Sequence, residues 1–223
     1  MSHEIATLTI EDSLGNFLQD PLFVTQNIRA DERETALELL RSYMYYHGYN
    51  FLSPGERAMH DRYFQQAPPE HKGFHQIFGP AKIPHLVAPF LNFLARELTP
   101  VASQKFISAT CQIVEELCLW LIKENLALEE EAEDAACRAA AAVNWLPRAM
   151  RALKRLHKEA QMETTEEVRW TAHGESECFR IARLHSNMLW LENEDGETVG
   201  PITISARAKV ELEVGLGNAL QFD

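Results

Sequence analysis

The chain has 223 residues, of which 46% are hydrophobic and 24% charged, values typical of a globular protein with one large or two small domains. Its net charge of −12 repels polyanions and disfavours a general affinity for DNA or RNA. The longest uninterrupted apolar run, Leu117–Ile122, is far shorter than the roughly 20 residues of a membrane span. We therefore expect a protein that neither crosses a membrane nor binds nucleic acid generally.

The amino terminus and the cysteines predict a cytoplasmic location. Met1–Ile5 lacks the positive and apolar regions of a signal peptide. The four cysteines, Cys111, Cys118, Cys137 and Cys178, form no C-x-x-C pair. The first two are two helical turns apart, roughly 10 Å, which is too far for a bridge between them. Buried reduced thiols are the simplest interpretation, and such thiols are typical of a cytosol.

The first convincing helix is predicted over Asp31–His47. Asp31 stands as its N-cap with Glu34 three residues later, and apolar side chains recur along one face. Gly48 is expected to end this helix.

Two further helices are predicted before residue 100. A second capping box, Ser53–Glu56, has proline at the first helical position and begins a helix that extends to about Gln65. One helical turn is expected near 71–78, inside a loop rich in proline and glycine. Pro84 then begins a helix that runs to Leu98.

Residues 100–126 predict the central helix, with Thr99 and Pro100 at its start. Its apolar side chains fall on two adjacent rows: Phe106, Ala109, Ile113, Leu117 and Trp120, and Ile107, Cys111, Val114, Cys118 and Leu121. The polar stripe is narrow: Lys105, Ser108, Gln112, Glu116 and Lys123. A helix that is apolar around about two-thirds of its girth packs on several sides, so we expect it at the centre of an all-α domain.

A long helical region is predicted over Leu128–Gln161, interrupted by Pro147. The alanine-rich stretch Ala135–Val143 within it favours a close helix–helix contact. The acidic residues Glu129–Glu131 stand in its first turn, where the helix dipole favours them.

The pattern changes at about Thr164 to short segments rich in β-branched and aromatic residues, separated by turn signals. Five strands are predicted: Val168–Trp170, Cys178–Leu184, Met188–Leu191, Val199–Ser205 and Ala219–Phe222. Ala206–Val210 is expected to form a single helical turn. The predicted fold class is α+β: an all-α helical domain over 1–163, followed by a small antiparallel β-barrel of SH3-like or OB-like type over 164–223.

Three features stand together between Leu86 and Leu126: the run Phe90–Leu94, the Thr-Pro joint, and a helix that ends with Leu119–Leu126. This pattern resembles the helical core-binding (SAM-like) domain of tyrosine recombinases, which implies a helical fold. In that family a larger catalytic domain with an Arg/His/Tyr constellation follows, whereas only about 60 β-rich residues follow here. The resemblance therefore implies no catalytic residue.

The sequence carries no nucleophile elbow and no phosphate-binding glycine loop. The best metal-ligand spacing is His71 and His75, four residues apart, with Glu70 beside them. Gly73 weakens the helix that this spacing needs, and no clear third ligand follows. Ordinary loop histidines are the favoured interpretation, and a metal-dependent enzyme built on His71 and His75 is an alternative.

One basic cluster recurs at spacings of three and four on a predicted helix: Arg148, Arg151, Lys154, Arg155 and Lys158. Such a face can bind an anion, an acidic partner or nucleic acid. The simpler interpretation is a solvated helix end, where the dipole favours cations. Tyr43, Tyr45, Tyr46 and Tyr49 form an aromatic cluster, of which at least one ring is expected to be exposed.

These patterns favour a non-enzymatic interaction or adaptor protein with a protein partner or self-association, and no cofactor. A nucleic-acid-associated protein that uses the basic face at 148–158 is the first alternative. The metal-dependent enzyme is the second.

Overall fold

The computed structural model of the protein describes residues 6–23, 28–66, 71–98, 102–163, 180–192, 196–210 and 212. The chain divides into two compact units, Met1–Leu98 with Ala102–Asn144 and Thr99–Val101 with Trp145–Asp223. The predicted domain boundary after residue 163 adjoins a stretch, 164–179, that lies outside the described residues. It therefore stays a prediction.

The first unit is helical. Its α-helices are α1 (Ile10–Gln19), α2 (Ala30–His47), α3 (Pro54–Phe64), α4 (Phe74–Ile77), α5 (Ile83–Phe93) and α6 (Gln104–Lys123), followed by the first half of α7 (Glu129–Glu163). Short 3₁₀ turns occur at Pro21–Phe23, Gly48–Phe51 and Pro80–Lys82, and a π-helical turn at Leu94–Leu98 follows α5. The described helices agree with the mostly helical first part that the sequence predicts.

Helix α1 is stabilised by a capping box that the sequence analysis did not identify. The Thr9 hydroxyl accepts a hydrogen bond from the Asp12 N–H at 3.2 Å, and the Asp12 carboxylate accepts one from the Thr9 N–H at 3.0 Å. Ile10, Leu14 and Phe17 then recur on one face and are fully buried. One cap and an apolar face of about two turns are thus enough to fix this short helix against the body.

Helix α3 begins at the predicted capping box. The Glu56 carboxylate accepts hydrogen bonds from the Ser53 N–H at 2.9 Å and from its hydroxyl at 2.8 Å. Lys82 lies 2.6 Å from the same carboxylate and ties the turn before α5 to the start of α3. Burial by itself would raise the pKa of Glu56, but the hydrogen bonds from Lys82 and Ser53 outweigh it and lower the pKa to about 2.

Helix α2 covers nearly the predicted range but its predicted N-cap is wrong, and helix α6 begins four residues later than predicted. Helix α2 begins at Ala30, with Arg29 as an N-cap that makes no side-chain hydrogen bond, and Asp31 pairs with Arg29 at 2.8 Å instead. Helix α6 begins at Gln104, because the Ser103 hydroxyl accepts the Phe106 N–H at 3.1 Å and supplies the cap. Residues 99–101, where the sequence predicts the start, lie outside the described residues.

The predicted apolar face of α6 is confirmed. Both predicted rows are buried apart from the half-buried Phe106, and Gln112 on the polar stripe is exposed. The helix contacts α2 and α5, so its apolar girth is covered from more than one side. Cys111 and Cys118 are buried on this apolar face, and burial raises the pKa of each thiol to about 12.

Ion pairs join α2 to α6 beside the apolar contact. The buried Arg33 guanidinium lies 3.6 Å from the Glu116 carboxylate, and Lys105 lies 3.0 Å from Glu32. Burial raises the pKa of Glu116, and the charge of Arg33 acts against that rise. The buried hydrophobic side chains supply most of the stabilisation of this contact, and the pair with the exposed Lys105 adds little.

Two glycines allow aromatic rings to approach the backbone. A Cβ at Gly48 would lie 2.6 Å from the ring of Phe74, and a Cβ at Gly73 would lie 2.7 Å from the ring of Tyr45. Gly48 has a φ of −56°, so its role is to leave room for the ring and not to adopt a left-handed conformation. These two contacts hold the end of α2 against the segment that contains α4.

Helix α7 continues through Pro147, so the predicted interruption there is wrong. Proline removes one backbone donor, and the turns on either side keep their own hydrogen bonds. In the alanine-rich part of α7, Ala135, Ala136, Ala139 and Ala142 are buried.

The second unit contains a small antiparallel sheet with the order β1 (Arg180–His185), β2 (Met188–Glu192), β3 (Thr198–Thr203). Its core is a cluster of buried side chains: Ala152, Leu189, Ile204, Ala208 and Leu212. The predicted helical turn at 206–210 is present, with the Ser205 hydroxyl accepting the Ala208 N–H at 3.1 Å.

The α+β class is therefore confirmed, but the described strands do not form the predicted closed SH3-like or OB-like barrel. They make an open three-stranded meander in which β1 and β3 each pair with β2. Three strands are too few to curl back on themselves and close. The predicted strands Val168–Trp170 and Ala219–Phe222 lie outside the described residues.

Within the described ranges, none of the helices is both long enough and apolar enough to cross a bilayer.

Candidate functional site

The predicted basic residues lie on α7, in the second unit. Lys154 is exposed, and Arg148, Arg151 and Arg155 are half-buried. The side chain of Lys158 lies outside the described part of the helix. Their spacing places them along one side of α7, as predicted, and their role in binding stays a prediction.

His71 is anchored by hydrogen bonds. Its Nδ1 lies 2.6 Å from the carbonyl oxygen of Phe64, which only accepts, so Nδ1 carries the proton. The Nε2 atom then accepts from the hydroxyl of Tyr45 at 3.4 Å. Both ring nitrogens are engaged inside the protein, which is the pattern of a structural histidine.

His75 contacts a different set of groups. Its Nε2 lies 3.6 Å from the Glu11 carboxylate, which also pairs with Arg41 at 3.1 Å, and Arg41 in turn bonds Glu38 at 2.9 Å. Burial lowers the pKa of His75, with the charge of Glu11 acting against it. This chain of charges joins α1, α2 and α4.

The two histidines do not converge on one point of coordination. Each ring lies 6.4 Å from the ring of Tyr45, which contacts both of them. Among the residues that the structure describes, no group of three or more His, Cys, Asp or Glu is placed to hold a metal ion. Glu70, the neighbour that the sequence suggested, lies outside those residues.

The burial of His75 makes stability depend on pH, and we expect the protein to become less stable as pH falls below about 6.5. The folded-state pKa is below the unfolded value, so the unfolded chain takes up the proton first and gains stability from it. His75→Gln should flatten the slope of unfolding free energy against pH between about 5 and 7, by at most about 1.4 kcal/mol per pH unit. Urea unfolding at several pH values measures that slope.

His185→Gln is the matched control, because His185 is exposed on β1 and makes no ion pair with any described residue. An unchanged slope in the His75 variant would contradict the prediction. His60 acts in the same direction as His75, since burial is also the main cause that lowers its pKa, so some slope remains in the His75→Gln variant.

The aromatic cluster at the end of α2 is partly open, as predicted. Tyr46 is 74% exposed, whereas Tyr43 is buried. The ring of Tyr46 meets that of Tyr45 edge to face at 5.1 Å. Arg57 covers Tyr49, with its guanidinium 5.4 Å from the ring centre. One large ring is thus presented to solvent beside rings that are already covered.

The feature that the sequence analysis missed is an open groove between α2 and the start of α6, with a volume of about 640 Å³. It is lined by Asp31, Glu34, Thr35, Glu38, Leu39, Ser42 and Phe106. The α2 members follow one side of that helix over three turns, and Phe106 comes from α6. Leu39 and Phe106 are half-buried and give the groove its apolar floor.

Three carboxylates form the edge of the groove. Asp31 pairs with Arg29 and Glu38 pairs with Arg41, both on the protein surface. Glu34 is exposed, and its side chain forms no ion pair with any described residue. The groove therefore combines an apolar floor with a negative edge.

A second, smaller pocket of about 320 Å³ lies where α1 and α6 end, and it includes Asp20 and Trp120. Asp20 already accepts hydrogen bonds from the Trp120 indole at 3.1 Å, from Lys123 at 3.0 Å and from the Leu22 N–H at 2.9 Å. Its carboxylate is thus used to hold the ends of the two helices together. We assign this pocket a structural role.

Comparison of the chain with models of protein families, with curated proteins and with solved structures finds no match. The resemblance to the core-binding domain of tyrosine recombinases gains no support from these comparisons, and it stays a prediction.

Proposed function

We propose that the protein is a non-enzymatic interaction module, and that the groove between α2 and α6 is where it binds a segment of another protein. The observation that carries the proposal is the groove's combination of an open apolar floor and an edge with three carboxylates, of which Glu34 forms no ion pair with any described residue. Half-buried Leu39 and Phe106 provide surface that a partner's side chain can cover.

The polar groups of the groove favour binding over catalysis. Its carboxylates lie at exposed positions on one helix, where water screens them from one another. An enzyme site usually brings polar groups together from several elements in a space that excludes water. Here the acids line one edge, which is the arrangement of a recognition surface.

A crosslinking experiment tests the proposal. We would place a photoreactive amino acid at Thr35, which is exposed and lines the groove, and at Gln112, which is exposed on α6 outside it. In the cells that naturally contain the protein, Thr35 should give a discrete adduct with one protein, and Gln112 should not. Leu39→Lys should abolish the adduct, because it places a charge on the apolar floor.

Two outcomes of that experiment decide between partners. An adduct with a second copy of this chain would assign the groove to self-association, and an adduct with another protein would assign it to an external partner. Equal labelling from Thr35 and Gln112, or no adduct at either position, would overturn the proposal.

For the basic face of α7 we expect no tight nucleic-acid binding. Five basic residues can reach about three to five phosphates, and so few contacts support only micromolar or weaker binding at physiological salt. The net charge of −12 weakens it further. A titration of duplex and single-stranded DNA at about 150 mM salt measures the affinity.

A sub-micromolar dissociation constant for DNA would contradict that expectation, provided that replacing Arg148, Arg151 and Arg155 with glutamate removes the binding. It would also promote the nucleic-acid-associated alternative above the interaction module.

A further inference from the structure

The acidic edge of the groove follows the helical repeat of α2. Asp31, Glu34 and Glu38 are three and four residues apart, so they lie on one face of α2, on successive turns, over about 10 Å of the helix axis. Thr35, Leu39 and Ser42 follow the adjacent row at spacings of four and three, and Phe106 stands on the opposite side. The groove therefore presents two parallel rows, one negative and one mostly small or apolar.

We infer that the occupant of the groove is a basic amphipathic helix, a segment with Lys or Arg at i, i+3 or i+4, and i+7 beside one or two apolar side chains. This inference rests on the proposed function and names the partner for that same site. A helix is favoured because its own side chains recur with the repeat that the groove's two rows display. The cations then meet the acidic edge while the apolar residues cover Leu39 and Phe106.

An extended segment fits this groove less well. Strand addition requires a sheet edge with unpaired backbone groups, and the walls here are helices whose backbone groups are already bonded within each helix. The positions of the acids, one on each successive turn, also match a helix of rise 1.5 Å per residue more closely than a strand of about 3.3 Å per residue.

The ion pairs at the edge allow a partner's cations to bind at small cost. Glu34 has no pairing within the described residues, so it is the first carboxylate that a cation meets. Glu38 shares Arg41 with Glu11, and Arg41 keeps its contact with Glu11 at 3.1 Å if Glu38 turns to a partner. Asp31 is paired with Arg29 at a site where both side chains are mostly exposed and water competes for the contact.

The probe is a fluorescein-labelled peptide of about 18 residues with leucine on one face and lysine beside it, long enough to form a helix on binding. Anisotropy with the full-length protein gives the dissociation constant. Two control peptides have the same length: one carries glutamate in place of lysine, and the other is a scramble that keeps the composition but loses the two faces. We expect the basic amphipathic peptide to bind at least about tenfold more tightly than either control.

Variants of the protein separate the groove from general charge attraction. Glu34→Lys should weaken binding at least about tenfold, and Leu39→Lys should weaken it at least as much. Glu130→Lys is the matched control, since it makes the same change of charge at an exposed position at the start of α7. It should change the dissociation constant less than about threefold, and thermal unfolding confirms that each variant is folded.

The outcomes show separately whether the groove is a docking site and whether its partner is a basic helix. Equal losses from Glu34→Lys and Glu130→Lys would show attraction to the net charge alone and overturn the inference. Tight binding of the acidic peptide, lost in Leu39→Lys, would overturn the partner class and leave the groove as a docking site. If the partner crosslinked through Thr35 contacts the groove with a segment that is not basic, the partner class is likewise overturned and the groove remains a docking site.

Discussion

Leu117→Ala is expected to lower the free energy of unfolding by about 2–5 kcal/mol, the range for removing a large side chain from a packed core. Leu117 is fully buried on α6, the helix whose apolar girth is covered from more than one side. The loss combines the transfer free energy of the removed carbons with the cavity that remains, because neighbouring helices relax only in part. Urea unfolding followed by circular dichroism measures the change.

The matched control is Gln112→Ala, on the same helix but on its exposed polar stripe. This variant should stay within about 0.5 kcal/mol of the parent protein, since it removes no buried contact. Equal unfolding midpoints for the two variants would mean that the assigned face of α6 is wrong.

The second large effect is expected at a glycine. Gly48→Ala should destabilise the protein by about 1–3 kcal/mol, because the added methyl group would lie 2.6 Å from the ring of Phe74. That ring is buried and packs at a tilt against Phe78 with 4.8 Å between ring centres, so it has little room to move away. The backbone at Gly48 has a right-handed helical conformation that alanine adopts without strain, so the expected loss comes from the clash.

Gly15→Ala is the control, and it should act in the opposite direction. Gly15 lies inside α1, and a Cβ there would meet nothing within 4 Å. Alanine should therefore raise the free energy of unfolding by about 0.5–1 kcal/mol through its better helix propensity. Thermal or urea unfolding of both variants tests the pair, and a stabilised Gly48→Ala protein would contradict the steric argument.

The elements that the sequence predicted well are those fixed by local rules. The apolar rows of α6 repeat with the period of a helix, and the capping box at Ser53 and Glu56 needs only two side chains three residues apart. The hairpin turn after β1 follows the same logic, since Ser186 and Asn187 are turn-forming residues between two β-rich runs. Each of these signals depends only on residues that are close together in the sequence.

The predicted start of α6 and the predicted interruption of α7 are wrong for two different reasons. For α6, the pair Thr99-Pro100 and the residue Ser103 are both suitable at a helix start. Ser103 is the cap in the structure, because its hydroxyl accepts the Phe106 N–H of the first turn. At Pro147 the propensity of one residue predicts an interruption, but one lost hydrogen bond does not end a helix that continues on both sides.

The groove between α2 and α6 could not be predicted from the sequence, because its lining residues carry no signal of their own. The acids Asp31 and Glu34 serve equally well as helix-start residues, so their presence carries no sign of a binding edge. Leu39 falls outside the buried row of α2, so its position in the sequence predicts no particular role. Only the placement of Phe106, more than 60 residues later, shows that these side chains line one space.

The two close contacts at Gly48 and Gly73 also constrain how such a sequence can drift over evolution. The ring of Phe74 packs against Gly48, and the ring of Tyr45 packs against Gly73. A larger residue at either glycine therefore requires a smaller side chain in place of the ring that it faces. Descendants of this chain should accordingly change positions 48 and 74 together, and positions 45 and 73 together. Related sequences should therefore show correlated replacement within each of these two pairs.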